Sequence, residues 1–298
     1  MSVADPVFAC PVCAEPLVRG EAAVRCGRGH TFDLAREGYV NLLPAQHRSS
    51  KDPGYSKEMI AGRRDFFDAG HYEPLADDVA RLVADQLPDS PSRVVLDAGC
   101  GEGYYLRRLG QELARRGEDS STRRCGLDIS KHGVRVAARR DPGGRYAVAS
   151  SYRMPVLASS VDVLLTHFSP VSAEDFTRVV RPDGVVVVGG PGAGHLYSFK
   201  QLLYDQPAEH EPADHFAGDP AFELVESVRS HHPMHLRDAE SVTNLLGMTP
   251  FFWTLNAAAR ARLARVESLD TEIDVLLRCY RRTSSAPAPQ PAPHADGP

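Results

Sequence analysis

Residues 94–105 read VVLDAGCGEGYY. Three apolar residues, Val94 to Leu96, run into Asp97, and Gly99, Gly101 and Gly103 then alternate ahead of a helical pattern carrying Leu106 and Leu109. Glycines at this density let the backbone pass close to a ligand and present amide groups at a helix start. A dinucleotide-binding turn would read Gly-x-Gly-x-x-Gly, with a pyrophosphate over the helix terminus. Here the spacing is Gly-x-Gly-x-Gly, it encloses Glu102, and an acidic residue introduces it. A carboxylate at the strand end is a poor neighbour for a pyrophosphate but suits a ligand with an amino group and a sulfonium. The pattern points to S-adenosylmethionine. Taken alone, the glycines also fit a tight strand-to-helix turn, the less frequent of the two readings.

Context separates the two readings. The next apolar run, CGLDIS, ends in Asp128, twenty-five residues beyond Gly103. A carboxylate there can accept hydrogen bonds from both ribose hydroxyls of a nucleoside. RYAVASS, VDVLLTH and GVVVVGG follow, separated by polar helical stretches. Strands spaced in this way predict parallel βαβ units, hence an α/β fold with a mostly parallel, Rossmann-like sheet. Ala149, Ser150 and Ser151 fall after the third strand, where an adenine is commonly bounded. KEMIAGRRDFFDAGHY and PLADDVARLVADQL predict two helices ahead of the first strand, and FELVESVRSHHPMHL and TEIDVLLRCYRR two late strands. Residues 56–282 form the expected catalytic domain. Residues 46–55 read as a polar linker and 283–298, rich in Pro and Ala, as a disordered tail.

Residues 1–45 form a separate module. Cys10 and Cys13 lie two residues apart, and after twelve more come Cys26 and His30 with three between them. Three thiols and an imidazole at this spacing suit tetrahedral Zn²⁺, and four protein ligands leave no open position, so the metal is expected to be structural. A redox pair at Cys10 and Cys13 would need neither Cys26 nor His30. Gly27 and Gly29 argue against a recognition helix of the finger type.

The bulk composition is that of a soluble protein: 298 residues, 42% hydrophobic, 24% charged and a net charge of −5. No apolar run is long enough to span a bilayer, and the first residues lack the layout of a signal peptide, which predicts a cytoplasmic protein without membrane contact. The charge is unevenly spread. Between Gly103 and Arg145 eleven basic residues stand against five acidic ones, while Asp205 to Glu240 holds nine acidic and two basic. Arg48, Lys51, Lys57, Arg63 and Arg64 make a further basic stretch. Such segregation allows a phosphate-facing side, and solvated helix faces explain the arginine doublets equally well.

The motifs CPVC, RCGRGHTFD, AREGYVNLLP, DAGHY, LDAGCGEGYY, GLDISK, VASSYRMP, RVVRPDGVVVV, PGAGHL and LLGMTPFFW span Cys10 to Trp253. Through them the chain resembles class I S-adenosylmethionine-dependent methyltransferases and, more narrowly, the RlmA family of 23S ribosomal RNA (guanine-N1)-methyltransferases. The resemblance implies methyl transfer to N1 of guanine 745 or 748 in a hairpin loop, a zinc module that helps recognise RNA, and a homodimer. One branch of the family confers resistance to tylosin-type macrolides. The match to DAGHY and PGAGHL implies that Tyr72 and His195 contribute to the cofactor pocket.

For such a reaction N1 must lose a proton, and because it sits on the Watson–Crick edge the base must be unpaired or flipped. His167 and Phe168 lie just past the strand VDVLLTH, where open α/β sheets hold substrate. His167 is the one candidate base, although a histidine at a strand end is more often simply hydrogen-bonded. Phe168-Ser169-Pro170 replaces the tetrad that many amino-group methyltransferases carry there, which suits a ring nitrogen. Two other readings remain open: a methyltransferase acting on a small molecule, with zinc only stabilising the module, and an RNA-binding protein that merely binds the cofactor.

Overall fold

The computed structural model describes residues 6–44, 56–249 and 251–284, so the predicted linker and nearly all of the predicted tail lie outside the described residues. Near the amino terminus, β1 (Val18–Arg19), β2 (Ala23–Arg25) and β3 (Thr31–Asp33) form a small antiparallel sheet. A second, eight-stranded sheet is built from β4 (Val40–Asn41), β5 (Arg93–Ala98), β6 (Thr122–Asp128), β7 (Arg145–Val148), β8 (Val161–His167), β9 (Val180–Pro191), β10 (Phe222–Leu236) and β11 (Leu269–Arg282). Its order is β4-β7-β6-β5-β8-β9-β11-β10, parallel except where β11 runs antiparallel to both neighbours. This is the class I methyltransferase arrangement.

Why the central strands are buried on both faces is plain from their composition. Val94, Val95, Leu96, Val163, Leu164, Val186 and Val187 are all essentially inaccessible, as near-continuous β-branched runs predict for parallel strands under helices. Helices α1 (Lys57–Asp68), α2 (Glu73–Asp85), α3 (Tyr104–Arg116), α4 (Lys131–Arg140), α5 (Ala173–Val179), α6 (Tyr197–Leu203), α7 (Ala239–Met248), α8 (Phe251–Thr254) and α9 (Ala257–Leu263) complete the fold. α3 buries Leu106, Leu109 and Leu113, spaced three and four apart, and ends at Gly117 in the left-handed conformation. Truncating any one of these leucines to alanine would cost about 2–5 kcal/mol.

The chain steps outward from β5 in two directions, to β6 and β7 on one side and to β8 and β9 on the other. A crevice therefore opens at the carboxyl ends of β5 and β8, the switch point where α/β sheets bind ligands. Asp162, at the start of β8, accepts from the Val94 amide (2.7 Å) and from Arg181 (2.7 Å), a structural role.

The amino-terminal module does not stand apart. β4 pairs with β7 as the outermost strand of the main sheet, Ala9 N–H donates to Pro155 O (2.9 Å), and Leu157 N–H donates to Val7 O (3.0 Å). The arginine doublets divide differently from the phosphate-facing expectation. Arg108 pairs with Glu73 and Asp77, Arg116 with Asp85 and Glu112, Arg124 with Asp141, and Arg140 with Asp68. At least one member of each doublet is thus paired within the fold, and Arg115 and Arg123 also bond, to Glu112 and Ser92.

Candidate active site and metal centre

A cavity of about 410 Å³ occupies the crevice. Gly99 and Gly101 line it from the loop after β5, Asp128 and Ile129 from the end of β6, and Ser150 to Tyr152 from the segment after β7. His167 to Pro170 close it beyond β8, and His195 and Leu196 beyond β9. Arg63, Phe67 and Tyr72 come from the α1–α2 region, and Met248, Thr249 and Phe251 from the α7–α8 region.

The glycine loop has the backbone its sequence demands. Gly99, Gly101 and Gly103 all take positive φ, at 94°, 54° and 78°. A side chain at Gly99 would also strike Ser169, whose Cβ lies only 2.5 Å from the point a Cβ would occupy. Gly103 serves packing instead: a Cβ there would sit 2.8 Å from that of Ala137, so the glycine lets α3 approach α4. Asp128 Oδ2 accepts from the Gly101 amide (2.9 Å) and Oδ1 from the Ser130 amide (2.7 Å). Each oxygen keeps a further acceptor site for a ligand hydroxyl.

The electrostatics of the cavity centre on two carboxylates. Burial, then the nearby Asp128, push Asp97 up to about 8, and Arg63 opposes them. Asp128 is raised by burial, against the two amides and Arg63. A cationic ligand would draw both toward their ionised form. Arg63, lying over the Phe67 ring at 5.0 Å and about 3.8 Å from the Cβ position of Gly101, brings positive charge to the same wall.

Of the cofactor residues expected from sequence, Tyr72, Gly99, Gly101, Asp128, Ser150 and His195 line the cavity. Asp97, Glu102 and Gly103 do not. Asp97 is buried at the strand end beside Gly99. Glu102 is turned the other way, 3.9 Å from Arg140, and its burial raises it to about 7. Sequence reasoning missed Arg63, Phe67, Tyr152 and Phe251. For Arg63 and Phe251 the motifs that contain or flank them were visible, but nothing local showed that they converge here.

His167 lies between Tyr105 (4.4 Å between ring centroids) and Phe168 (4.4 Å), and neither ring nitrogen has a hydrogen-bond partner among the described residues. Burial, with Arg63 and His195 adding, lowers it to about 3. Such an imidazole is neutral and only weakly basic in the ligand-free protein. His195 is likewise held near 3, chiefly by burial. Its Nδ1 accepts from the Asp274 amide (3.2 Å), so in the neutral ring Nε2 carries the proton.

At the other end of the chain, the ligand atoms of Cys10, Cys13, Cys26 and His30 all lie within 4.8 Å of one another. Cys13 Sγ is 3.7 Å from Cys26 Sγ, and His30 Nδ1 is 3.4 Å from Cys26 Sγ and 3.5 Å from Cys10 Sγ. A tetrahedron with bonds of about 2.3 Å to sulfur and 2.0 Å to nitrogen has edges of about 3.5–3.8 Å, so the cluster fits Zn²⁺. The Val12 amide points at Cys10 Sγ (3.4 Å), and Gly29 (φ 88°) makes the turn between Cys26 and His30. With four protein ligands this zinc is structural.

Comparison with known proteins finds matches to both regions of the chain. Residues 8–51 match the family described as RlmA, N-terminal, a zinc ribbon, and residues 96–188 match the family described as a methyltransferase domain. A Micromonospora griseorubida protein with the provisional name 23S rRNA (guanine-N(1)-)-methyltransferase is 34% identical over 291 residues, covering 91% of this chain and 94% of its own. The 23S rRNA (guanine(748)-N(1))-methyltransferase of Streptomyces fradiae is 33% identical over 249 residues, covering 82% and 85%. Among solved structures, the YcgJ protein of Bacillus subtilis is similar with a TM-score of 0.47 at 12% identity, over 69% of this chain and 98% of that one. On the strength of a third of its residues shared across most of both lengths, this chain belongs to the 23S rRNA (guanine-N(1)-)-methyltransferase family.

Proposed function

We propose that the protein transfers a methyl group from S-adenosylmethionine to N1 of a guanine in 23S ribosomal RNA. The observation that carries the reading is the pairing of a glycine-lined cavity, holding Asp128 and backed by Asp97, with a four-ligand zinc module in one chain. Guanine 748 is the target we assign within the hairpin, because the Streptomyces fradiae relative carries that number in its name. A part in macrolide resistance would follow from that target and the family branch it marks. Among the described residues no helix is long and apolar enough to cross a membrane, in keeping with work on ribosomal RNA in the cytoplasm. A homodimer is part of the proposal through the family resemblance alone.

When bound, the cofactor supplies a methyl group made electrophilic by its sulfonium. The protein's own residues then align atoms and exclude water. Asp128 offers hydroxyl acceptors, Asp97 buried behind it adds negative charge once a cation draws it to ionise, and the backbone of Gly99 and Gly101 is close enough to pack against a ligand. Tyr72, Ser150 and His195 bound the same space, the last presenting a fixed Nε2–H donor. The N1 proton leaves to solvent in the overall reaction, and no side chain lining the cavity is assigned as its acceptor.

The test is direct. Zinc-loaded protein, S-adenosylmethionine and a transcript of the 23S hairpin are incubated, and the digested RNA is analysed by mass spectrometry for 1-methylguanosine. Methylation that weakens steeply with salt is expected, because phosphates are engaged. No 1-methylguanosine would overturn the reading, and salt-insensitive transfer to a small molecule would favour the alternative.

A further inference from the structure

Five large apolar side chains are exposed among the described residues: Val12, Val18, Tyr152, Phe168 and Leu224. Two of the five, Tyr152 at 54% and Phe168 at 45%, are aromatic and line the same cavity as Gly99 and Gly101. An exposed ring on a mobile segment would mean little. Both of these are braced.

Phe168 stands immediately past β8 with φ at 50°, a left-handed conformation that is costly for a bulky residue and is retained only when its surroundings impose it. Its amide donates to Gly189 O (3.0 Å), and its ring stacks on His195 with centroids 5.2 Å apart and planes at 28°. His195 is itself pinned through Nδ1 by the Asp274 amide, and Asp274 is held by Arg229 (2.7 Å) and by the Gly194 amide (2.9 Å). The following residue, Ser169, fills the space left by the missing side chain of Gly99, so Phe168 is mechanically tied to the glycine loop.

Tyr152 is supported in a different way. Its amide donates to Ser150 Oγ (3.0 Å), and the amides of Arg153 and Met154 both donate to the Asp175 carboxylate. Arg178 locks that carboxylate (2.7 Å) and also donates to Met154 O (2.7 Å) and Val156 O (2.6 Å). Two rings that line one cavity are thus held by polar braces, and both remain about half exposed among the described residues.

The geometry points to Phe168, with Tyr152 beside it, as the stacking platform for the guanine taken out of the RNA stack. The inference rests on the RNA reading above and adds the residues that hold the base. A flipped purine needs a flat apolar surface next to the reacting centre, and aromatic rings provide it with little sequence preference. Phe168 belongs to the β8 end of the crevice and Asp128 and the glycine loop to the β5 and β6 ends, while Tyr152, two residues beyond Ser150, stands at the β7 end where the two meet. A base on Phe168 therefore faces the cofactor loop across the switch point. These are positioning residues: no proton or bond passes through them.

The experiment compares wild type, Phe168→Leu, Phe168→Tyr and Tyr152→Leu, with S-adenosylmethionine affinity measured by calorimetry for each. Affinity is measured for two hairpin transcripts, one carrying guanine and one an abasic nucleotide at the target. Wild type should prefer the guanine form by about 5- to 150-fold, the range that one base–aromatic stack supports. Phe168→Leu should lose that preference while cofactor affinity stays within about twofold, Phe168→Tyr should keep it, and Tyr152→Leu should lose part of it. A guanine preference unchanged in both leucine variants would overturn the platform. Wild type that neither methylates nor distinguishes the two transcripts would overturn the RNA reading itself, and the platform with it.

Discussion

Replacing Asp97 with asparagine should stabilise the ligand-free protein, and by an amount that grows with pH. Burial and Asp128 raise this carboxyl from 3.8 to about 8. Between those values the native state holds a proton that the unfolded chain has released, so stability falls as pH rises through the window. Each unit of that window is worth a little over 1 kcal/mol, which makes the loss from pH 5 to pH 7 about 3 kcal/mol. Asparagine carries no such proton. Its amide needs hydrogen bonds in a buried place and costs about 1–3 kcal/mol where it lacks them, but that cost does not change with pH. The sign of the slope is therefore a cleaner test than the absolute stability. Urea unfolding of zinc-loaded wild type and Asp97→Asn at pH 5, 6, 7 and 8, without cofactor, measures it. The gap in favour of asparagine should widen steadily with pH, and cofactor affinity should collapse in the variant. Asp128, also raised by burial, adds a slope of its own to both proteins. Parallel stability curves for the two would refute the claim that Asp97 is kept largely protonated until a cation arrives.

Two further outcomes follow from the geometry. Gly99→Ala, with its positive φ and its collision with Ser169, should weaken S-adenosylmethionine binding by more than tenfold in calorimetry, while Gly190→Ala, which meets nothing within 4 Å, should not. Zinc release by chelator or by Cys26→Ser should unravel the β1–β3 module, seen as proteolysis within residues 8–40, and should lower RNA affinity. Because Val7 and Ala9 bond to the segment after β7, it should also loosen cofactor binding several-fold, whereas an unchanged cofactor affinity would show that the module's docking carries no weight.

Local chemistry was the legible part of this chain. The alternating glycines fix their own positive φ, the metal ligands declare themselves by spacing, and the β-branched runs announce buried parallel strands. What depends on distant partners was not legible. β4 has two residues and no period, so nothing marked Val40 and Asn41 as a strand of the main sheet rather than the end of a separate module. Arg63 looked like one more residue of a basic stretch, yet the turn of α1 sets it against the glycine loop. Glu102 and Gly103 belong to the motif by sequence, but at the start of α3 one is turned toward Arg140 and the other packs against α4. Arginine doublets could not declare their partners, because Asp68, Asp77, Asp85 and Asp141 lie on other elements or far along the chain. His167 illustrates the same limit: its position was foreseen, and its low basicity is a product of the packing around it.

Methyl transfer to guanine N1 is the centre of the account, and N1 methylation abolishes Watson–Crick pairing. Primer extension across 23S RNA, after incubation with the protein and S-adenosylmethionine, reads it at nucleotide resolution. A new stop is expected one nucleotide before guanine 748, dependent on cofactor and absent with Gly99→Ala. A stop at 745 would keep the chemistry and move the target. No new stop anywhere in that RNA would contradict the account.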